Sequence, residues 1–354
     1  MDLKEIGWSS WQEANFNNFC EPGELPARIT IVDRDRYHIQ TSMGERIAKL
    51  TGKFRHISAA NSDYPCVGDW VCVQTHEQDA EMSITRVLPR KSFLRRKTAG
   101  KDIDYQMIGA NIDVALIVQS CHYDFNLQRL ERYLVMINEG NIEPLLVLTK
   151  VDLIADDELQ NLISEIRNRG VNTPIIAISN VTGSGIDQIR EVMLAEKTYC
   201  LVGSSGVGKT TLTNQLLKTL QLETKSVSGT GEGRHTTVRR QLLNLDNGAM
   251  LIDTPGMREL GILAASDGIE SNYSDIAELS KQCRFNNCQH TNEPGCAVQS
   301  AIKKGLLDQA HFNNYLKLQK ESEFYEMSYQ DKRKKDKEFG KFVKTMKKGF
   351  SKKH

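Results

Sequence analysis

Gly203-Ser204-Ser205-Gly206-Val207-Gly208-Lys209-Thr210 fits the spacing G-x-x-x-x-G-K-[ST], which turns a loop into a cradle for phosphate. The glycines let the backbone fold tightly, so successive N–H groups converge on the β- and γ-phosphates of a nucleotide. Lys209 adds a compact positive charge there, and Thr210, followed by Thr211, offers a hydroxyl to Mg²⁺. The flanks suit this chemistry. Thr198-Tyr199-Cys200-Leu201-Val202 reads as a buried strand entering the loop, and residues 211–217 read as the helix leaving it. The N-terminus of that helix brings the positive end of its dipole to the anion.

Two further stretches extend the site. Leu251-Ile252-Asp253-Thr254-Pro255-Gly256 is a strand ending in D-x-x-G. Asp253 there would hold Mg²⁺ through water, and the Gly256 N–H would meet the γ-phosphate. Between the two phosphate elements, residues 229–240 carry Gly231, Gly233, Arg234, His235, Thr236 and Thr237. Such a glycine-rich polar stretch has the makings of a switch ordered by γ-phosphate and metal, with Thr236 or Thr237 as the metal-sensing hydroxyl.

The base is read elsewhere. Thr149-Lys150-Val151-Asp152 resembles the Asn-Lys-x-Asp element of GTP-binding proteins. A carboxylate at Asp152 accepts from both N1–H and the exocyclic amine of guanine, donors that adenine does not present together, and an unpaired carboxylate makes the wrong base costly. Lys150 would lie along the base face. Thr149 departs from the pattern: a hydroxyl can tie the loop to its neighbours but lacks the paired donor and acceptor of an amide. Ser179 and Asn180 follow the next strand, where GTPases place a backbone N–H against guanine O6.

Cys283-x4-Cys288-x-His290-x5-Cys296 forms a second constellation. Three thiolates and one imidazole at this spacing suit tetrahedral Zn²⁺ with no open position, hence a structural metal. Asn286-Asn287 and Pro294-Gly295 allow the turns that such ligation needs. The other cysteines, Cys20, Cys66, Cys72, Cys121 and Cys200, are scattered and read as small apolar packing groups.

The elements that position these groups change period along the chain. Residues 1–26 carry Trp8, Trp11, Phe16 and Phe19 without a clear period, either a docking helix or a mobile arm. Residues 28–32, 37–40, 45–50, 70–73 and 84–88 are five short strands, which suits a small barrel of the oligonucleotide-binding kind. Arg28, Arg36, Arg46, Lys49, Lys53 and Arg55, with Tyr37 and Phe54, could grip nucleic acid or form a solvated charged face. Residues 90–101 form a basic connector, either a solvated linker or a phosphate-binding strip.

From about residue 104, strands at 113–118, 144–148 and 174–178 alternate with helices at 126–138, 156–169 and 186–193, the signature of a parallel sheet with helices on both faces. Segments 273–280 and 297–325 read as helices around the cysteine cluster. The tail from Asp331 holds eleven Lys/Arg against three Asp/Glu, a surplus of eight, so the rest of the chain carries −7 of the net +1. It is either a solvated end or an arm that orders on a polyanion. The 354 residues contain no apolar run near the ~20 needed to span a bilayer and no secretory pattern at the N-terminus. A cytoplasmic location is the expectation, with thiols reduced.

The order of the motifs is itself informative, since the base-reading loops precede the phosphate loop. Close termini let a doubly wound domain tolerate such circular permutation. Together, the barrel, the permuted motifs and the Cys₃His cluster resemble the small-subunit-dependent, circularly permuted GTPases of bacteria, the RsgA or YjeQ family. The resemblance covers nearly the whole chain. It implies a multidomain α/β protein with an OB-like barrel and basic connector (27–101) behind an N-terminal arm (1–26). A permuted P-loop GTPase domain (102–262), a helical zinc-binding module (263–330) and the basic tail (331–354) follow. It also implies GTP hydrolysis with Mg²⁺, stimulated by the 30S subunit during its late maturation, one structural Zn²⁺, and contact with 16S rRNA by a monomer. Where many GTPases carry a water-orienting Gln after the D-x-x-G glycine, this chain has Met257, so the water must be positioned by something else, either a group supplied on the ribosome or His235, the candidate catalytic residue. A nucleotide-gated RNA-binding scaffold with incidental hydrolysis is the alternative; an ATP-using enzyme is argued against by Asp152.

Overall fold

The structure, a computed structural model, describes residues 2–34, 36–58, 60–75, 81–97, 105–122, 124–217, 240–253 and 265–326. The N-terminal stretch left open by the sequence is a docked helix. A capping box between Ser9 and Gln12 starts α1 (Ser10–Phe19). The turn before it buries Ile6 and sets the edge of Trp8 on Trp70, ring centroids 4.7 Å apart. Cys20 and Cys72, read from the sequence as separate apolar fillers, are instead paired as a disulfide, with Cα atoms 5.9 Å apart. They are 52 residues apart in the chain, so spacing gave no sign of the pairing.

β1 (Leu25–Val32), β2 (Tyr37–Thr41), β3 (Gly44–Leu50), β4 (Trp70–Gln74) and β5 (Glu81–Val87) turn one face inward, burying Ile29, Ile39, Ala48, Val71, Val73 and Ile84 completely. β1 pairs with both β2 and β4, and β5 joins β3 to β4, so the ring closes without free edges. α2 (Gly52–Ile57) occupies the β3–β4 connection.

Part of the basic connector forms a strand. β6 (Phe93–Lys97) pairs antiparallel with β7 (Tyr105–Ala110). One of its cations is engaged: the Arg95 guanidinium stacks 4.2 Å from the Tyr105 ring centroid. Just before β6, Arg90 holds Asp69 in a two-pronged bridge at 2.8 Å and 2.8 Å.

The α/β region contains β8 (Val114–Ser120), β9 (Glu143–Thr149), β10 (Ile175–Ala177), β11 (Thr198–Val202), β12 (Gln241–Asn244) and β13 (Met250–Asp253), in the order β10-β9-β8-β11-β13-β12. All run parallel, as expected of the alternating strands, except β12, which is antiparallel to β13. Alternate residues of these strands feed two cores. α3 (Leu127–Glu139) packs Leu130, Leu134 and Ile137 onto Ile117 and Leu146; α4 (Asp156–Asn168) adds Ile166. On the other face, α5 (Ile186–Val192) and α6 (Lys209–Leu216) pack Ile189 and Leu212 near Leu116, Val147 and Leu201. β12 also pairs with β1 through Ile31 and Gln241, so barrel and α/β region share one eleven-stranded sheet.

α7 (Ser266–Asn272), α8 (Ser274–Ser280), α9 (Ala297–Lys303) and α10 (Gln309–Glu326) follow. The expected continuous helix over 297–325 is broken. Gly305 takes φ +70°, and the Asp308 carboxylate accepts from His311 N at 2.7 Å. The break swings α10 onto α3, where the fully buried Glu131 carboxylate accepts from Asn314 and from Tyr273 OH (3.2 Å) and pairs with His311 Nδ1 (2.8 Å). Among the described residues, no helix is long and apolar enough to cross a membrane.

Candidate functional site

Parallel strands deliver their C-terminal ends to one edge of a sheet. The loops after β8, β9, β10 and β11 and the end of β13 therefore meet there. The phosphate-loop motif fills the turn between β11 and α6. Gly203, at φ +151°, passes so close to β8 that a Cβ would lie 2.2 Å from Val118 O. Gly208, at φ +97°, precedes α6, whose first turn exposes Thr210 and Thr211. Lys209 Nζ donates to Gly203 O (2.7 Å) and Ser204 O (2.5 Å), which keeps the ammonium over the loop. Burial lowers the Lys209 pKa to about 8, opposed by the Asp253 charge. Burial likewise raises Asp253, and Lys209 opposes that rise. Each charge thus offsets part of the other's burial, across the ends of β13 and the phosphate loop.

The loops assigned to the base are bonded to the phosphate loop. Thr149 is fully buried, and its hydroxyl donates to Val207 O at 2.6 Å, with Gln119 O a longer partner at 3.3 Å. This is the tie that a Thr can make in place of Asn. Lys150 takes a left-handed conformation (φ 61°, ψ 35°) to open the turn Val151–Leu153, which leaves Asp152 exposed on the same edge. Ser179 is buried, and its hydroxyl accepts from Val181 N (3.2 Å) and Thr182 N (3.1 Å). Asn180 Nδ2 donates to Gly208 O at 3.2 Å, and Gln215 Nε2 of α6 donates to Asn180 O at 2.7 Å.

His235, Thr236, Thr237, Gly256 and Met257 lie outside the described residues, as does the basic tail. Asp124, which the motifs did not single out, follows β8. It accepts from Ser204 Oγ at 2.6 Å and pairs with Arg129 at 3.0 Å, and these bonds lower its pKa against the upward pull of burial. The only sequence signal for it is a carboxylate just past a strand end.

In the C-terminal module, Cys283, Cys288, His290 and Cys296 each point one ligand atom into a common centre, all within 4.8 Å of one another. Cys283 Sγ and Cys296 Sγ are 3.9 Å apart and stand 3.6 and 3.5 Å from His290 Nδ1. Ideal tetrahedral zinc, with bonds of about 2.3 Å to sulfur and about 2.0 Å to nitrogen, needs edges of about 3.8 and about 3.5 Å. The set fits a metal ion of that size. His290 takes φ +56°, and its Nε2 lies 3.0 Å from Ser280 Oγ. A proton held there leaves the Nδ1 lone pair facing the thiols. Ala297 N and Gln299 N donate to the sulfurs of Cys283 and Cys296, each at 3.4 Å.

The sequence matches the family described as RsgA GTPase over residues 87–263. It is 42% identical over 311 residues to the protein named "Small ribosomal subunit biogenesis GTPase RsgA 2" of Lactiplantibacillus plantarum, covering 88% of this chain and 85% of that one. Among solved structures, YjeQ from Thermotoga maritima is similar at 27% identity and a TM-score of 0.63, covering 83% of this chain and 97% of that one. YloQ, described as a circularly permuted GTPase, shares the fold at 24% identity and a TM-score of 0.60, over 88% of this chain and 99% of that one.

Proposed function

Because this chain belongs to the RsgA family of GTPases, we propose that it hydrolyses GTP to GDP and phosphate on the small (30S) ribosomal subunit, during late maturation of that subunit. The observation that carries this reading is the bonding of Thr149 and Asn180 to consecutive carbonyls of the phosphate loop. It makes base and phosphate recognition one pocket. In that pocket Asp152 reads the guanine edge, the Asn180 N–H meets O6, and Lys150 braces the base. The amides of residues 203–211 hold the phosphates with Lys209.

Mg²⁺ would be held by Thr210, by Asp253 through water, and by Thr236 or Thr237, where it neutralises charge developing on the phosphates. The donor set around Cys283, Cys288, His290 and Cys296 supports one structural Zn²⁺. Met257 cannot orient the attacking water. We assign that role to His235, with a group on the ribosome as the other source. The barrel, zinc module and tail would contact 16S rRNA.

The test is the GTP hydrolysis rate of the full chain with and without purified 30S particles. Stimulation by an order of magnitude or more is expected; an unchanged rate would favour the scaffold reading. Loss of stimulation in His235→Ala, with GTP binding retained, is the outcome expected of the catalytic assignment, and intact stimulation would remove it.

A further inference from the structure

Asn180 occupies a place where the GTPase loop pattern needs only a backbone N–H, yet its side chain is committed across the pocket. The loop that carries it is rigid. Ser179 N donates to Ser184 O (3.0 Å), Gly183 N donates to Ser179 O (2.9 Å), and the Ser179 hydroxyl takes two more N–H groups. From this frame the Asn180 amide reaches Gly208 O, one residue before Lys209. The contact is close: a Cβ on Gly208 would lie 2.6 Å from Asn180 Nδ2. α6 returns the connection, since Gln215 Nε2 donates to Asn180 O. Asn180 is thus tied through its side chain to the residue that precedes α6 and through its carbonyl to Gln215 within α6. Thr149 makes the parallel tie from the other base-reading loop, to Val207 O.

We propose that Asn180 is a positioning residue that couples the seating of guanine to the geometry of the phosphate loop. A base that fails to engage the Asn180 peptide then slows turnover as well as weakening binding. The inference rests on the GTPase reading above and deepens it. A rigid loop moved by its base contact displaces Gly208 and Lys209 with it, because hydrogen bonds at 2.7 and 3.2 Å leave little slack. Small misplacement of a phosphate clamp costs rate steeply.

The probe is 6-thioguanosine triphosphate, which keeps the N1–H and the amine read by Asp152 but puts sulfur, a weaker and larger acceptor, in place of O6. With the full-length protein, kcat for the analogue is expected to fall roughly tenfold below kcat for GTP, alongside a rise in KM. In Asn180→Ala, kcat for GTP should fall toward the analogue's value, so that the kcat ratio approaches one while the KM ratio persists. Asn180→Asp, the same size without the donor, should behave likewise or worse. If Asn180→Ala does not fold, Gln215→Met removes the return tie and is read the same way. A kcat ratio left unchanged in these variants, or equal loss of kcat for both nucleotides, would overturn the proposal. Absence of GTP turnover in the unmodified protein would instead overturn the GTPase reading itself, and the inference with it.

Discussion

On the proposed reading nucleotide binding turns on Lys209, and its surroundings make that dependence titratable. Burial lowers its pKa to about 8, and only the charged form attracts phosphate. Nucleotide affinity is therefore fully present below that value and should fall as pH rises through it, up to roughly tenfold per unit. A fluorescent GDP titrated from pH 7 to pH 10 checks this; a flat profile contradicts it. Lys209→Ala should weaken binding by roughly 100-fold, the loss of charge-assisted bonds worth about 3 kcal/mol. At Thr149, substitution to Val keeps the shape and removes the hydroxyl from Val207 O and Gln119 O. An acceptor deprived of its donor costs about 1–3 kcal/mol, which should appear as roughly tenfold weaker GTP binding by calorimetry. The phosphate loop was legible because phosphate geometry demands glycines and a lysine at fixed spacing. The Ser204–Asp124 and Asn180–Gly208 bonds were not, because they depend on which strand lies beside which, and β8, β10 and β11 are far apart in the chain.

The same contrast holds for whole elements. The barrel strands followed from alternation, and the α/β helices from a spacing of three and four, because each period buries one face. β6 did not, since a run of Arg and Lys masks a strand in which Arg95 stacks on both Phe93 and Tyr105. The break between α9 and α10 was hidden because both sides keep helical composition. It matters because it carries His311 to Glu131. Burial pulls the His311 pKa down, but hydrogen bonds and charge from Asp275 and Glu131 outweigh this and hold it up at about 9. Tyr273, Asn314, Arg169 and Asp308 complete the surroundings. A pKa raised by folding gives stability that is whole below about pH 6.5 and lost as pH climbs through about 9. The melting temperature should therefore drop by several degrees over that window, and His311→Gln should flatten the drop, as scanning calorimetry would register. At the cysteine cluster, metal analysis should find one Zn²⁺ per chain. Cys296→Ala, or a strong chelator, should release it and lower helical circular dichroism, because metal binding there contributes to folding.

At the scale of the molecule, barrel and α/β region are joined by a buried guanidinium. Arg28 donates to Ile6 O, Gly68 O, Asn111 O (3.3 Å) and Thr198 Oγ1 (2.8 Å), so it holds the N-terminal turn, the barrel and the start of β11 together. Its carbonyl and hydroxyl partners lie far apart in sequence, and nothing in the pattern of charges marked Arg28 as buried. Arg28→Met should strand several acceptors at about 1–3 kcal/mol each and split a single unfolding transition into two, visible by calorimetry. A retained single transition would show that other contacts suffice.

β12 has a second consequence. It begins one residue after Arg240, the first described residue following the stretch that contains His235, Thr236 and Thr237, and it rests on β1 through the single pair Ile31–Gln241. Four pairs zip β12 to β13, from Gln241–Asp253 to Asn244–Met250, and its first residue alone also reaches the barrel. Gln241 therefore sits between Asp253 and Ile31, so a shift of its backbone bears on the end of β13 and on the first barrel strand together.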